Sequence, residues 1–439
     1  MTGKQDRIHV IQMRFGLWLV AGVASFALAS VASAQLGDSS FDQFDHPAIE
    51  YLTRPARDPV AALIRRIDTG DLALSFDAQH GYLPALLKAL EIPTESQVVV
   101  FSKTSTQLNL INPSNPRTVY FNDSVSLGWT RGTFVLEVAS QDPVLGTIFY
   151  ELDQHRVEKP MLRRTRACLR CHHSLYTNGV PGRLVRSMAT AADGSTLAGT
   201  RNLATDHRTP YEQRWGGWYV TGRTGGLVHM GNSFATSLNG TTIERSPDLA
   251  TLQGKFDTTG YLTPYSDIVA LMVLEHQAHL MNLLTRLGWE TRAADYEAQT
   301  GDSSPLPPGR ASFSFDRAVT EIVDYLLFVD EAPLPGPVEG TSGFAEEFMR
   351  RGPFDRRGRS LRQLDLERRL MRYPCSYVIY SPVFDELPDR ARDAIYRRLW
   401  QVLGGNDRSG KYSLLSENDR TAIVQILRET KPGLPDYFR

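Results

Sequence analysis

The order of apolar and polar positions along the chain changes its period several times. Between residues 59 and 90 the apolar positions recur at helical spacing and break near Gly70, which predicts two short helices. Between residues 97 and 152, β-branched and aromatic runs alternate with turn residues, a pattern typical of short strands. The predicted strands would form a small antiparallel sheet and cover residues 97–101, 118–121, 124–129, 133–138 and 146–152.

Helical periodicity dominates the rest of the chain. Pro160 is placed to open a short helix that continues through residues 168–172 and stops near Asn178. Two glycine-flanked runs, 215–221 and 227–230, predict a hairpin. Ser266 is expected to cap a long helix that ends at Gly288. Further helices are predicted over residues 314–329, 344–372, 388–403 and 416–429. The predicted fold class is α+β and predominantly helical, with a small antiparallel β region early in the chain and a helical C-terminal part.

The first 34 residues read as an export signal. Three basic residues (Lys4, Arg7 and Arg14) precede an uncharged, mostly apolar run over 15–31. Ala32, Ser33 and Ala34 then supply a small-x-small cleavage pattern, which predicts cleavage after Ala34 and a periplasmic or secreted protein. The alternative is an uncleaved membrane anchor, because the apolar run has about the minimum length for a span. We expect no stable membrane span after cleavage.

The composition narrows the class of protein and of partner. The chain has 439 residues, and its 48 Lys and Arg residues nearly balance its 49 Asp and Glu residues. A net charge of −1 gives no overall field that would attract nucleic acid, so no nucleic-acid partner is expected. Only three cysteines are present, which excludes a scaffold stabilised by many disulfides.

Two of these cysteines belong to a CxxCH sequence, the spacing used for covalent attachment of haem c. Cys168 and Cys171 stand one helical turn apart, so both thiols can add to vinyl groups along one haem edge. His172 follows directly and can coordinate the iron from below as the proximal ligand. With three Cys and ten His in the chain, the motif is expected by chance roughly 0.0005 times. The sequence therefore predicts one covalently attached haem c.

Three other uses of these residues stay open. A thioredoxin-like redox pair would open its helix after a strand, whereas here the helix is predicted to begin earlier, at Pro160. A zinc site built from Cys168, Cys171 and His172 or His173 lacks a second ligand pair at fixed spacing. A structural disulfide between the two cysteines would close only a very short loop and stabilise little. Cys375 has no partner once haem is attached, and we expect a buried, inert thiol.

Residues 168–172 resemble the haem-attachment segment of c-type cytochromes. Over most of the mature chain, runs such as 214–219 and 373–377 are similar to large, uncharacterised bacterial secreted proteins that carry one CxxCH motif. The resemblance implies a cytochrome c-like haem segment in the middle of the chain. The implied organisation is a signal peptide (1–34), an N-terminal α/β region with a small antiparallel sheet (35–155), a haem-c-binding region (156–300) and a helical C-terminal region (301–439).

The sixth ligand of the iron would decide between electron transfer and catalysis. His229 or Met230 is the leading candidate for the distal ligand, because flanking glycines would let this segment approach a haem closely. His276, on the predicted long helix, is a weaker candidate.

The leading hypothesis is an exported monohaem c-type cytochrome that transfers electrons to or from a periplasmic partner protein. The alternative is a haem-dependent redox enzyme, peroxidase- or oxygenase-like, with an open or displaceable sixth ligand. A haem-based sensor or a subunit of a larger complex is a third possibility. Four arginines crowd the motif and could neutralise haem propionates or dock an acidic partner: Arg163, Arg164, Arg166 and Arg170.

Overall fold

A seven-stranded antiparallel sheet is the largest β element of the protein. The structure is a computed structural model that describes residues 45–197, 202–235, 248–301 and 313–438. The strand order is β6-β5-β4-β3-β2-β1-β9, and β7 pairs with β8 in a separate two-stranded ribbon. The strands are β1 (Val98–Val100), β2 (Arg117–Phe121), β3 (Val125–Thr130), β4 (Val135–Asp142), β5 (Gly146–Asp153), β6 (Leu162–Arg164), β7 (Val185–Met188), β8 (Asn202–Thr205) and β9 (Trp218–Tyr219).

The two faces of this sheet differ because side chains alternate along each strand. Leu127 and Val138, which pair across β3 and β4, belong to the apolar face and are buried. That face packs against the first two helices, α1 (Pro59–Asp68) and α2 (Leu83–Ala89), in one continuous core cluster. Asp58 caps α1 by accepting hydrogen bonds from two backbone N–H groups of its first turn.

The opposite face carries small residues at its centre. Ser126 pairs with Ala139, and Gly128 pairs with Glu137, across the same two strands. Since Ser126, Gly128 and Ala139 have short side chains or none, they leave space over β3 and β4, and this part of the sheet forms the floor of the pocket described below.

The longest helix, α4 (Ile268–Thr300), packs inside the protein. Asp267 caps its first turn, and Gly301 ends it in the left-handed conformation. Its length and composition would suffice to cross a membrane, but 94% of its most apolar window is buried inside the protein, as expected for a core helix. The other helices are α3 (Leu169–His172), α5 (Phe315–Leu326), α6 (Phe344–Arg350), α7 (Pro382–Asp385), α8 (Asp389–Leu403) and α9 (Glu417–Thr430).

The predicted fold class is wrong in the relative amounts of helix and strand. The sheet is not a small early element of a predominantly helical, cytochrome c-like chain, because it gains two strands from the middle of the sequence. β6 pairs with β5, so the chain after Pro160 is a strand and not the start of a helix. β9 pairs with β1 at the opposite edge. The five strands predicted between residues 97 and 152 are all present.

Several predicted elements have other bounds. Residues 227–230 form no strand, so the predicted hairpin is wrong, and β9 pairs with β1 instead. α4 continues past Gly288, whose missing side chain leaves room for the guanidinium group of Arg292. Of the helix predicted over 344–372, only α6 forms. The predicted signal peptide lies outside the described residues.

One hydrophobic core cluster contains residues from all three regions that the sequence predicts within the described chain. A single cluster contains Val98 of β1, Trp218 of β9, Leu284 of α4 and Leu399 of α8. The N-terminal, middle and C-terminal parts of the described chain therefore share buried surface.

Candidate functional site

The two cysteines of the CxxCH motif lie on a single helical turn. β6 ends at Arg164, and α3 begins one residue after Cys168. The backbone N–H of His172 donates to the carbonyl oxygen of Cys168 at 2.9 Å, which closes the turn. This turn places both thiols and the His172 ring along the same pocket.

The ring of His172 is held by the loop that follows. Its Nδ1 lies 2.9 Å from the carbonyl oxygen of Gly182, and the backbone N–H of Gly182 donates to the carbonyl oxygen of His172 at 2.8 Å. Phe149 of β5 packs against the ring, with centroids 5.1 Å apart. Burial lowers the pKa of His172, so the ring is neutral at pH 7. A neutral ring that donates from Nδ1 to a carbonyl presents the lone pair of Nε2 on its other side.

A pocket of about 470 Å³ opens beside this turn. Such a volume is typical of small-molecule and cofactor sites. The small residues of β3 and β4 are its floor, Trp218 and Phe149 are aromatic walls, and Leu274 and Ala278 of α4 also line it. Trp218 belongs to the hydrophobic core and also lines the pocket.

The pocket wall is strongly cationic. Glu137 is its only acidic side chain among the lining residues, and it forms an ion pair with Arg117 at 2.6 Å. Gly128 makes room for this pair, because a Cβ there would lie 2.0 Å from the Arg117 guanidinium group. The basic side chains that line the pocket are Lys103, Arg117, Arg170, Arg183 and Arg186. The arrangement favours a ligand that is largely apolar and negatively charged.

The state of the cysteines separates the alternatives for the motif. Cys168 and Cys171 are both unpaired. Burial and the nearby Glu137 raise the pKa of the Cys168 thiol to about 12, whereas reactive redox thiols have a lowered pKa. Among the described residues, no group of three or more His, Cys, Asp or Glu side chains is arranged to hold a metal ion. These observations give no support to a thioredoxin-like pair or a zinc site.

The candidate distal ligands His229 and Met230 do not line the pocket. The His229 ring is buried against Trp215, with ring centroids 5.2 Å apart. The Met230 sulfur accepts a hydrogen bond from the Ser187 hydroxyl at 3.7 Å. Both side chains are therefore packed away from His172.

His276 is also placed outside the pocket, and both of its ring nitrogens have partners. Its Nδ1 lies 2.7 Å from Nδ1 of His207, and its Nε2 lies 2.8 Å from the Ser376 hydroxyl. The ring is fully buried and stacks on Tyr325. This cluster links α4 to the C-terminal helices.

No other histidine or methionine of the described chain lines the pocket besides His172. The internal stretches outside the described residues (198–201, 236–247 and 302–312) contain neither residue type in their sequence. Lys103 is the one remaining lining side chain with an amine, and its Nζ pairs with Asp193 at 2.9 Å. The described pocket therefore offers one imidazole and no second histidine or methionine.

Most of the arginines near the motif in sequence turn away from the pocket. Arg163 pairs with Asp153 on the sheet surface, and Arg164 lies over the ring of Tyr51. Of the four, only Arg170 lines the pocket. Sequence reasoning missed Arg117, Arg183 and Arg186. The one signal was a charged residue at a sheet position that shares its face with apolar neighbours, as Arg117 does with Val119.

No protein-family model, curated protein or solved structure matches the chain. What the pocket can do is therefore argued from its own residues.

Proposed function

We propose that the chain is a monohaem c-type protein whose haem is attached to Cys168 and Cys171 and ligated by His172. The observation that carries the proposal is the common placement of both thiols and the fixed His172 ring along one pocket. The floor of small residues, the apolar walls and the excess of arginines fit a planar ring with two carboxylates. Haem bound here would supply a redox-active iron.

Of the two functions considered, we propose the haem-dependent redox enzyme ahead of the electron-transfer cytochrome. The supporting observation is that His172 is the only histidine or methionine among the described residues lining the pocket. In a c-type cytochrome that only transfers electrons, the iron is usually ligated by one His and one Met. A site with one protein ligand leaves room for a small molecule. Arg117 and Arg183 would then be the chain's own groups that orient an incoming anionic or polar substrate.

Electron transfer with a periplasmic partner protein stays as the second candidate. The observation that favours it is the exposed rim beside the motif, where Leu175 is 81% exposed, next to Tyr176 and the exposed Arg170. An apolar rim with basic neighbours is suited to a partner that carries acidic groups. This candidate requires the sixth position to be filled by something other than a described histidine or methionine of the same pocket.

Attachment is tested by producing the full chain with a cytochrome c maturation system. We expect a pyridine haemochrome spectrum typical of two thioethers, and haem that stays with the chain in denaturing gels. Cys168→Ser and Cys171→Ser should each shift the spectrum toward a single thioether, and His172→Ala should abolish stable loading. His173→Ala, which changes the neighbouring histidine, is the matched control. Haem-free wild-type protein would overturn the proposal.

The choice between the two functions is tested on the loaded protein. An enzyme with one protein ligand should bind CO when reduced and cyanide when oxidised, each with a clear change in the Soret band. A spectrum of six-coordinate low-spin iron that resists both ligands would favour electron transfer instead.

A further inference from the structure

Arg183 is a buried cation at the inner end of the pocket. Its side chain lines the pocket, and the residue is only 5% exposed. It donates to the Ser126 hydroxyl at 3.1 Å and to the backbone carbonyl oxygen of Asp123 at 3.3 Å. A guanidinium group has five N–H donors, and its Nε is buried here without an acceptor. The hydrogen-bonding capacity of Arg183 is therefore largely unused.

The nearest carboxylate is committed to another arginine. Asp123 binds Arg362, which is itself buried, through both carboxylate oxygens. Arg183 has no ion-pair partner in the part of the chain that the structure describes. Burial lowers its pKa to about 10. A buried charge without a counterion is costly, and an anionic ligand bound beside it would offset that cost.

Arg117, the other arginine over the sheet, differs in this respect. Its charge is balanced by Glu137 at 2.6 Å. An anionic ligand therefore gains more binding free energy from contact with Arg183 than from contact with Arg117.

The backbone holds Arg183 in place. Asn282 of α4 donates from its side-chain amide to the carbonyl oxygen of Arg183 at 2.8 Å. The carbonyl oxygen of Gly182, one residue before, accepts the hydrogen bond from Nδ1 of His172. A Cβ at Gly182 would lie 2.1 Å from the Asn282 side chain. One short segment thus orients the imidazole and the guanidinium group together, and neither can swing away when a ligand enters.

We propose that Arg183 is the recognition group for a carboxylate of the ligand that occupies this pocket. The carboxylate has two possible sources. One is a haem propionate, and this possibility rests on the proposed function. The other is a free organic anion that enters as substrate. In both cases the carboxylate accepts hydrogen bonds from the terminal N–H groups of Arg183 and neutralises its charge.

The first experiment uses the full chain produced without haem, with sodium propionate as the probe. Thermal unfolding is followed at increasing propionate against sodium chloride at equal ionic strength. We expect propionate to raise the Tm of the wild-type chain. In Arg183→Met the half-saturating concentration should rise about tenfold or more, because a charge-assisted hydrogen bond is lost. Arg183→Lys keeps the positive charge but lacks the paired N–H donors of the guanidinium group. Its half-saturating concentration should lie between those of the wild type and Arg183→Met.

Arg170→Met is the matched control, since Arg170 lines the same pocket but is exposed. Its half-saturating concentration should stay within about twofold of the wild-type value. Circular dichroism of each variant establishes that it is folded. Equal propionate dependence in the wild type and in folded Arg183→Met or Arg183→Lys would overturn the proposal, as would no propionate effect on the wild type.

The second experiment repeats the titration on haem-loaded protein and separates the two sources. If a haem propionate fills the site, loaded wild-type protein no longer responds to added propionate. If a free anion is the ligand, the loaded protein responds as the haem-free protein does. Should no haem attach at all, the proposed function fails while the haem-free titration still decides the role of Arg183.

Discussion

The buried ion pair between Arg214 and Glu275 gives the sharpest stability prediction. Arg214 is 1% exposed and Glu275 is 0% exposed, and their closest atoms lie 2.5 Å apart. Arg214 also donates to the backbone carbonyl oxygens of His207 and Thr209. In Arg214→Met all of these bonds are lost and a carboxylate stays buried without its cation. Breaking a buried pair from one side costs about 3–5 kcal/mol.

The cost should depend on pH in a definite direction. Burial raises the pKa of Glu275, and the Arg214 guanidinium group opposes that rise. Without Arg214 the folded state of the variant favours the neutral acid more than the unfolded state does. The folded variant then binds more protons than the unfolded chain between the two pKa values. With Arg214 present the pKa of Glu275 is raised to about 7, so below that pH the acid is neutral in both folded proteins. The extra loss of stability in the variant should therefore be smallest below pH 7 and grow as the pH rises above it.

The measurement is urea unfolding followed by circular dichroism at several pH values, always relative to the wild type. Arg223→Met is the matched control, because Arg223 is 72% exposed in its ion pair with Glu339. That variant should lose less than about 1 kcal/mol at every pH. Glu275→Gln combined with Arg214→Met should recover part of the loss. A loss in Arg214→Met no larger than in the control, or one independent of pH, would refute the reasoning.

Three further predictions follow from the site and its surroundings. His276→Leu removes the partner of His207 Nδ1 and one of the two partners of the Ser376 hydroxyl, so it should cost about 2–4 kcal/mol in urea unfolding. The visible spectrum of loaded protein should stay unchanged, and a spectral shift would mean that His276 is a ligand after all. Gly128→Val forces the Arg117 guanidinium group away from Glu137 and narrows the pocket floor, so haem yield should fall, while Gly410→Val, where a Cβ would meet no other atom, spares it. Cys375 is fully buried with its pKa raised to about 12, so a thiol reagent should label it only after denaturation, and labelling of the native loaded protein would contradict its burial.

Local patterns carried the predictions that succeeded. The five strands between residues 97 and 152 were visible because each holds enough β-branched and aromatic residues to show its own period. The same holds for the burial of Cys375 within an apolar run. The helical turn at the CxxCH motif is likewise a local feature, whereas the attachment of haem stays a prediction.

Long-range pairing could not be read in the same way. β6 has three residues and β9 has two, too short to show a period, and both are strands only because β5 and β1 offer open edges. The helical spacing seen in residues 351–372 reflects ion pairs across loops, such as Arg359 with Asp355. Arg183 came into the pocket through the packing of its loop on α4, which no spacing along the sequence expresses.

The position of α4 has a consequence for how the protein folds. This helix offers Leu274 and Ala278 to the pocket, Asn282 to the loop that fixes His172, and His276 to the C-terminal cluster. The part of the chain that bears the motif and the part that follows α4 thus share one element, and residues of both belong to one core cluster. A fragment that ends at Gly301 would leave the apolar side of α4 in water. We therefore expect the CxxCH segment to unfold together with α4, and not as an autonomous module.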